Sequence, residues 1–476
     1  MEGNLSRLAL PRTPAATVMF LVALLAFAGP TRPTADNDTW WHLRTGGWIL
    51  DHGAIPKTDP FSWTATGREW VTHEWAAQTI FAALHRAAGP AALLLLAGVL
   101  VGAAALLLQQ SGRRLGHDPW AVAVASLTAV FLTTLEWSIR PHLFTLFFVA
   151  LFCYLLVTES EGPRRITWLL VPATLVWANL HGAFVLGPLL IGAFVVGALL
   201  DRELPRARRL LVIGAAALVA GAINPAGPGL YLYPLHVAEV SELISEWDPV
   251  DPREPQGFVF TIATLGALGL LVGRRRTVDP GVLLAALAFV ALGIAALKNV
   301  APAAFPLGLL LGEALSGLGP ARPDPSRGDR VVAGLLALAG LAGAIVLVPA
   351  KLAGKTESEL LVERKYPVAA TAALKELPPG RLANPYDWGG YVIYRARDFP
   401  VSIDGRNDMY GLELLRRQLS LEELTPGWDE FLADNDVDYV LWQRTAALAE
   451  ALRLHDGWRL IHQDRMAVLF ERVPLS

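Results

Sequence analysis

The chain has 476 residues, of which 53% are hydrophobic and only 17% are charged, and its formal net charge is −3. Soluble globular proteins carry about 25% charged residues, so this deficit indicates a chain that lies mostly in lipid. The near-neutral charge argues against nucleic acid as a partner, because nucleic-acid-binding proteins present a basic surface. The single cysteine, Cys153, excludes an intrachain disulfide and a thiolate metal cluster, which argues against redox chemistry.

Hydrophobic runs predict an α-helical polytopic membrane protein with about eleven transmembrane helices, because a span needs about 20 mostly apolar residues. The first run extends from about Ala15 to Pro30 after two arginines, which also fits a signal peptide. An uncleaved anchor is favoured, because many further spans follow. The remaining spans are predicted to begin near Ala88, Trp120, Leu143, Trp168, Ala183, Leu210, Phe258, Val282, Ala301 and Val331.

Arginines mark every second connection between these spans and so predict the orientation in the membrane. They are Arg7 and Arg12, Arg113 and Arg114, Arg164 and Arg165, Arg202 to Arg209, Arg274 to Arg276, and Arg322 to Arg330. The positive-inside rule therefore predicts that the N-terminus is cytoplasmic. Abundant alanine and an excess of arginine over lysine indicate a GC-rich bacterial genome, so we expect a multi-pass protein of the bacterial inner membrane. Residues 1–350 form the predicted transmembrane domain, with a first outer loop at about 31–88, and residues 351–476 form an extracytoplasmic domain.

The C-terminal segment alternates helical and strand patterns, which predicts a small α/β soluble domain. We expect helices at Pro367–Leu377, Leu412–Leu424, Trp428–Asp434 and Thr445–His455, strands at Pro400–Ile403 and Val437–Trp442, and a hairpin of Trp458–His462 with Met466–Glu471. Asp404, Gly405 and Arg406 predict a turn with a structural salt bridge.

Two carboxylates, Asp36 and Asp38, follow the first span directly. Side chains two residues apart can hold a divalent cation such as Mg²⁺ or Mn²⁺, and one of them can act as a general base. A helix N-cap at Asp38 is the alternative, because Thr39 to Asp51 is predicted to form an interfacial helix that ends at Gly53. A cap at Asp38 would leave Asp36 unexplained.

Other polar side chains concentrate at the outer ends of the spans, where an ionisable residue is costly unless it is paired or functional. His73 and Glu74 fit a metal-ligand or acid–base pair, and equally the surface of an interfacial helix at about 70–86. Arg140 fits phosphate binding or a snorkelling position at a span end. The candidate substrate-binding residues are His42, His73, Glu74, Arg140, His142, Asn179, His181, Glu246, Lys298 and Asn299.

The string DNDTWWHLRTGGWILDHGAIPKTDPFSWT, continued by GREWVTHEW, resembles the first outer loop of bacterial membrane proteins related to the GT-C glycosyltransferases. Further matches are SIRPHLF, WANLHG, INP, ISEW, KNVAPAAF, NPYDWGGYVIY and IDGRNDMYG, so the resemblance covers nearly the whole chain. Asn37 stands where the group usually has proline, and Lys298 where arginine is common. The resemblance points to a polyprenyl-phosphate-sugar-dependent group related to the protein mannosyltransferases.

The resemblance implies an inverting transfer of a sugar from a polyprenyl-phosphate carrier to a glycan, lipid or protein acceptor outside the cytoplasm. Asp36 is then the general base and Asp38 a metal or acceptor contact. The residues implied for the lipid phosphate are Arg140, His142 and Lys298, and those implied to support the acidic pair are His73 and Glu74. A transporter or flippase, and a non-catalytic GT-C-like scaffold of envelope assembly, remain alternatives.

Overall fold

The computed structural model describes residues 13–160, 162–234, 244–318 and 327–474. Three arginines used for the orientation, Arg7, Arg12 and Arg322, lie outside these ranges. The chain folds as two compact units. The first unit takes the described residues of Met1–Arg32, Leu94–Tyr231 and Ile244–Gly354, and the second takes those of Pro33–Leu93, Leu232–Leu243 and Lys355–Ser476.

Twelve α-helices precede the C-terminal segment in the described residues. They are α1 (Pro14–Ala28), α2 (Asn37–His52), α3 (Trp75–Arg114), α4 (Pro119–Leu132), α5 (His142–Ser160), α6 (Leu170–Leu180), α7 (Leu186–Leu200), α8 (Leu204–Gly221), α9 (Pro255–Arg274), α10 (Pro280–Ala295), α11 (Val300–Leu315) and α12 (Arg327–Leu352). Gly89, at φ 72° and ψ −173°, divides α3 into two helices, the second of which begins beside the predicted span start at Ala88.

Every predicted span corresponds to one of these helices, so the helical membrane architecture is confirmed. The largest offset is six residues, between the predicted start at Leu210 and the observed start of α8 at Leu204. Six helices of the described chain are long and apolar enough to cross a bilayer: Trp75–Arg114, Pro119–Glu136, His142–Ser160, Gly182–Leu200, Pro255–Arg274 and Arg327–Leu352. The other five are shorter or, like α8, begin with several arginines.

Helix α11 forms the centre of the first unit and packs against α4, α5, α9 and α10. Nearly all of its side chains are buried. Helix α12 packs against α1 and leaves a long apolar face exposed, including Leu335, Ile345 and Val346. A large exposed apolar face on a long helix fits contact with lipid rather than water.

In the second unit, the C-terminal residues build a four-stranded sheet in the order β1-β2-β4-β3. Its strands are β1 (Leu382–Ala383), β2 (Tyr439–Gln443), β3 (Trp458–Gln463) and β4 (Ala467–Arg472). Strand β1 pairs parallel to β2, and the other pairs are antiparallel. The helices of this segment are α13 (Glu357–Leu360), α14 (Val368–Leu374), α15 (Tyr386–Arg395), α16 (Asn407–Glu422), α17 (Trp428–Asp434) and α18 (Ala447–Arg453).

The predicted α/β character, the helix at Trp428–Asp434 and the β3–β4 hairpin are confirmed. The strand predicted at Pro400–Ile403 is wrong. Val401 forms only isolated bridges to Ser62 and Leu382, because the neighbouring strand β1 is just two residues long.

Aromatic side chains join the first loop to the C-terminal segment within the second unit. Trp40 of α2 is buried, and its ring forms T-shaped contacts with the rings of Tyr366 and Tyr391, at centroid distances of 5.4 and 5.1 Å. The indole N–H of Trp63 donates to the backbone carbonyl of Leu382 over 2.9 Å. A buried tryptophan contributes several kcal/mol to stability, so these contacts fix α2 against the C-terminal segment (the tail).

Candidate functional site

The acidic residues that follow the first apolar helix lie at the first turn of α2. Asp36 is the N-cap of this helix, and its Oδ1 accepts the backbone N–H of Asp38 at 2.9 Å. The cap expected at Asp38 therefore lies two residues earlier. The carboxylate of Asp38 instead accepts the indole N–H of Trp41 at 3.0 Å. The cap uses one of the two carboxylate oxygens of Asp36, so capping and acid–base chemistry are compatible there.

The C-terminal segment borders this first turn of the helix. Asn37 donates its side-chain amide to Oδ1 of Asp387 in α15 over 2.7 Å. Partial burial raises the pKa of Asp387, although the hydrogen bond from Asn37 acts in the opposite direction. Asp387 belongs to the NPYDWGGYVIY string, and that string was its only signal in the sequence.

Glu74 lies between two histidines inside the second unit. Its carboxylate oxygens are 3.8 Å from Nδ1 of His42 and 3.7 Å from Nε2 of His73. The side-chain nitrogen of Gln78 lies 3.4 Å from Nδ1 of His42. All four side chains are buried, so the structure brings together three of the predicted substrate-binding residues. The His42 ring also lies 3.7 Å from the ring of Trp41, which continues the contact toward Asp38.

A further carboxylate, Asp408, approaches this histidine pair from α16. Burial raises its pKa, while the charges of His73 and Arg406 and a hydrogen bond with Tyr233 lower it. The ring of Tyr233 lies 4.1 Å from the ring of His73. Asp408 is not among the predicted site residues, and its only signal in the sequence is its place in the IDGRNDMYG string.

A divalent cation at Asp36 and Asp38 would need further ligands besides these two carboxylates. Within residues 13–160, 162–234, 244–318 and 327–474, no three His, Cys, Asp or Glu side chains converge as metal ligands. A cation held by these two carboxylates would take its other ligands from water or a substrate phosphate. Mg²⁺ is commonly held in this way, so the residues present fit such an ion.

Two of the predicted phosphate-binding residues of the first unit, Arg140 and His142, form ion pairs with acids. Both terminal nitrogens of Arg140 donate to Glu246, at 2.6 and 3.3 Å. Burial alone would raise the pKa of Glu246, but the charge and hydrogen bonds of Arg140 outweigh it, with help from Lys298 and His142, and lower that pKa to about 2. The ammonium of Lys298 lies 3.7 Å from the ring centroid of Trp247, directly after Glu246.

His142 is held next to Arg140 by a neighbouring acid. Its Nδ1 is 3.0 Å from Oε2 of Glu136, and its Nε2 is 3.0 Å from the Glu136 carbonyl. The three basic residues Arg140, His142 and Lys298 thus form one cluster with two acids, Glu136 and Glu246. All but Glu136 were predicted separately as substrate-binding residues. A bidentate arginine–carboxylate pair uses the geometry with which arginine binds phosphate.

The remaining candidates bind helix backbone or neighbouring helices. Asn179 donates to the carbonyls of Leu175 and Ile223, at 2.9 and 2.8 Å. Nδ1 of His181 lies 2.7 Å from the hydroxyl of Thr145, which accepts the indole N–H of Trp177. Asn299 donates to the carbonyl of Leu292 over 3.2 Å. These contacts hold neighbouring helices together near their ends.

The chain was compared by sequence and by structure with known proteins. No protein-family model and no curated protein matches the chain. The oligosaccharyltransferase of Archaeoglobus fulgidus, solved in its apo form, is similar over 90% of this chain and 69% of its own, with a TM-score of 0.58 and 13% identity. ArnT of Cupriavidus metallidurans, solved bound to undecaprenyl phosphate, is similar over 96% of this chain and 97% of its own, with a TM-score of 0.51 and 17% identity. The chain is therefore a membrane protein with the fold of the GT-C glycosyltransferases.

Proposed function

We propose that the protein is an integral membrane glycosyltransferase that moves a sugar from a polyprenyl-phosphate carrier to an acceptor outside the cytoplasm. The fold supports this function, since one structural neighbour is an oligosaccharyltransferase and another was solved with undecaprenyl phosphate. The observation that carries the proposal is the position of Asp36 and Asp38, at the start of the helix that follows the first apolar helix.

In the proposed reaction, an acceptor hydroxyl oxygen attacks the anomeric carbon of the sugar. The bond from that carbon to the phosphate oxygen breaks, and the phosphate leaves with the electron pair. Asp36 takes the hydroxyl proton as general base. A single displacement of this kind inverts the configuration at the anomeric carbon. Asp38 contacts the acceptor or, with Asp36, a divalent cation, which when bound would supply positive charge against the phosphate.

The leaving phosphate develops negative charge and needs cations to stabilise it. We assign this role to Arg140, His142 and Lys298 of the first unit. Arg140 forms a bidentate pair with Glu246, so phosphate binding exchanges one set of charge-assisted hydrogen bonds for another. We also propose an orientation in the inner membrane with the N-terminus in the cytoplasm and the C-terminal segment outside.

The decisive experiment separates the capping role of Asp36 from its proposed catalytic role. Asp36→Ser keeps a good N-cap but has no carboxylate, whereas Asp36→Asn keeps the shape and the cap without the charge. We expect both variants to fold and to lose at least a hundredfold in transfer from undecaprenyl-phosphate-linked sugar to an envelope fraction. General bases typically contribute a factor of about 10² to 10⁴, which sets this expectation.

The same assay tests the alternatives. Wild-type transfer by Asp36→Ser and by Asp38→Asn would exclude the acidic pair from the chemistry. Binding of the carrier without transfer by the wild-type protein would favour a scaffold. Movement of the carrier across a vesicle membrane without sugar transfer would favour a flippase.

A further inference from the structure

The turn Asp404–Arg406 of the C-terminal segment lies against the acidic first turn of α2. A Cβ atom built on Gly405 would lie 2.1 Å from Oδ1 of Asp38 and 2.8 Å from Nε1 of Trp41. These are the two atoms joined by the 3.0 Å hydrogen bond from Trp41 to Asp38. The backbone of Gly405 therefore packs directly on that hydrogen bond.

A neighbouring glycine gives a second close approach to the same turn of the helix. A Cβ atom on Gly390 in α15 would lie 2.7 Å from the backbone carbonyl oxygen of Asn37. Two separate glycines of the tail thus touch the two residues that follow Asp36. Two separate elements of the tail, helix α15 and the turn Asp404–Arg406, therefore pack their backbone on the acidic turn.

The turn that carries Gly405 is rigidly anchored. Arg406 is fully buried and forms ion pairs with Asp404 and Asp59, each at 2.6 Å. Asp59 in turn accepts the backbone N–H groups of Phe61 and Ser62, at 3.0 Å each. A fully paired buried arginine resists displacement, because any movement would leave buried charges uncompensated.

We propose that Gly405 is a positioning residue: its backbone sets the rotamer of the Asp38 carboxylate against Trp41, and the buried Arg406 holds it in place. The tail is therefore part of the reaction apparatus and not an independent appendage. Asp38 belongs to the proposed acidic site, so this inference rests on the proposed function. Its physical core, the fixed position of the Asp38–Trp41 pair, can be measured without any activity.

The test is Gly405→Ala. The added methyl group needs about 1 Å more space than the Asp38 oxygen leaves, and the anchored turn cannot yield. The short Asp38 side chain must then rotate away from Trp41, and the Trp41 ring, 2.8 Å from the added carbon, must shift as well, so both members of the pair are displaced. Misplacement of a reacting group by about 1 Å can cost 10²-fold in rate. We expect kcat to fall ten- to hundredfold while KM for the lipid-linked sugar stays within twofold.

The matched control is Gly380→Ala in the same tail. Its Cβ atom would lie 2.7 Å from a carboxylate oxygen of Asp438 and 2.8 Å from the ring of Tyr439. The crowding is thus of the same kind, a carboxylate and an aromatic ring, but neither neighbour belongs to α2. We expect Gly380→Ala to keep the wild-type kcat whatever it does to the melting temperature.

A spectroscopic readout separates failure of this inference from failure of the proposed function. Protein labelled with 5-fluorotryptophan gives a ¹⁹F resonance for Trp41, identified by its absence in Trp41→Phe. We expect Gly405→Ala to shift that resonance and Gly380→Ala to leave it in place. This result holds whether or not the wild-type protein transfers sugar.

Two outcomes would overturn the inference: an unshifted Trp41 resonance in Gly405→Ala, or a kcat equal to that of Gly380→Ala in an active wild-type background. Where Gly405→Ala fails to fold, Trp41→Phe removes the indole donor without adding bulk. It is expected to lower kcat at least tenfold, and a wild-type kcat in that variant would equally refute the positioning role.

Discussion

Replacing Arg406 with methionine is expected to destabilise the second unit by about 3–5 kcal/mol. Arg406 is fully buried, and its guanidinium donates to Asp404 through Nε at 2.8 Å and Nη2 at 2.6 Å, and to Asp59 through Nη1 at 2.6 Å. Methionine fills much of the volume but leaves two buried carboxylates without a cation. The loss is therefore the cost of uncompensated charge, which burial makes large.

The exposed pair Arg417–Glu413 provides the control. It has the same chemistry and a 2.7 Å contact, but both side chains are more than half exposed on α16. Exposed pairs four residues apart on a helix are worth about 0.3–0.5 kcal/mol, so Arg417→Met should cost about a tenth as much. Water screens the exposed charges and solvates whichever partner remains.

Thermal unfolding of the detergent-solubilised protein measures both changes. For a unit of this size, 1 kcal/mol corresponds to about 2–4 °C, so Arg406→Met should lower the melting temperature of this unit by about 6–20 °C. Arg417→Met should lower it by about 1–2 °C. Equal shifts for the two variants would refute the reasoning, because burial would then not decide the value of the pair.

Three further predictions concern pH, metal and topology. Glu246→Gln should flatten the pH dependence of the melting temperature. Pairing with Arg140 lowers the Glu246 pKa to about 2. The stabilisation that ionised Glu246 provides is therefore complete above the unfolded-state pKa of about 4.3 and is lost as pH falls through about 2. A wild-type slope between pH 5 and 3 in that variant would contradict this. Chelation with EDTA should lower transfer at least tenfold and Mg²⁺ or Mn²⁺ should restore it, whereas full activity in EDTA would exclude the cation. A cysteine placed at Ser420 should react with an impermeant maleimide in intact cells, and protection until lysis would reverse the proposed orientation.

Hydropathy predicted the helical part of the fold because each span is a local property of the chain. Runs such as Gly182–Leu200 are long and apolar enough to be recognised without knowledge of their neighbours. Helix α2 was equally visible in the sequence, because Gly53 marks its C-terminal end and adopts there the left-handed conformation (φ 64°) that ends helices. Boundaries were least certain where arginines or alanines blur the apolar edge, as at Leu204.

Helix α15 (Tyr386–Arg395) could not be predicted, because its local signals contradict one another. Pro385 directly precedes the helix, and two adjacent glycines lie inside it. They are followed by Tyr391, Val392 and Ile393, which favour strands. The helix forms because it packs against α2, where Gly390 permits close backbone contact and Tyr391 meets Trp40. Packing between distant segments therefore overrides the local preference.

The acidic site shows the same division between local and long-range information. The sequence located Asp36 and Asp38 and explained why carboxylates suit the place, but it assigned the cap to the wrong one. The cap at Asp36 is local, because it needs only the backbone N–H of Asp38. The position of the Asp38 carboxylate instead depends on Trp41 and on Gly405, which is 367 residues away in the chain. Asp36 thus caps the helix and Asp38 binds Trp41, and these different roles cannot be recognised from the three-residue motif alone.

That difference changes how substitutions of the pair should be interpreted. Loss of activity in Asp36→Ala would combine a lost cap, worth about 1 kcal/mol, with a lost carboxylate, and so would not identify a base. Asp36→Ser removes only the second of these. Asp38→Asn likewise keeps an oxygen that can accept the Trp41 indole and removes only the charge. If Asp36→Ser is active and Asp38→Asn is not, the base is the residue that the tail positions, and Gly405 then acts on the reacting group itself.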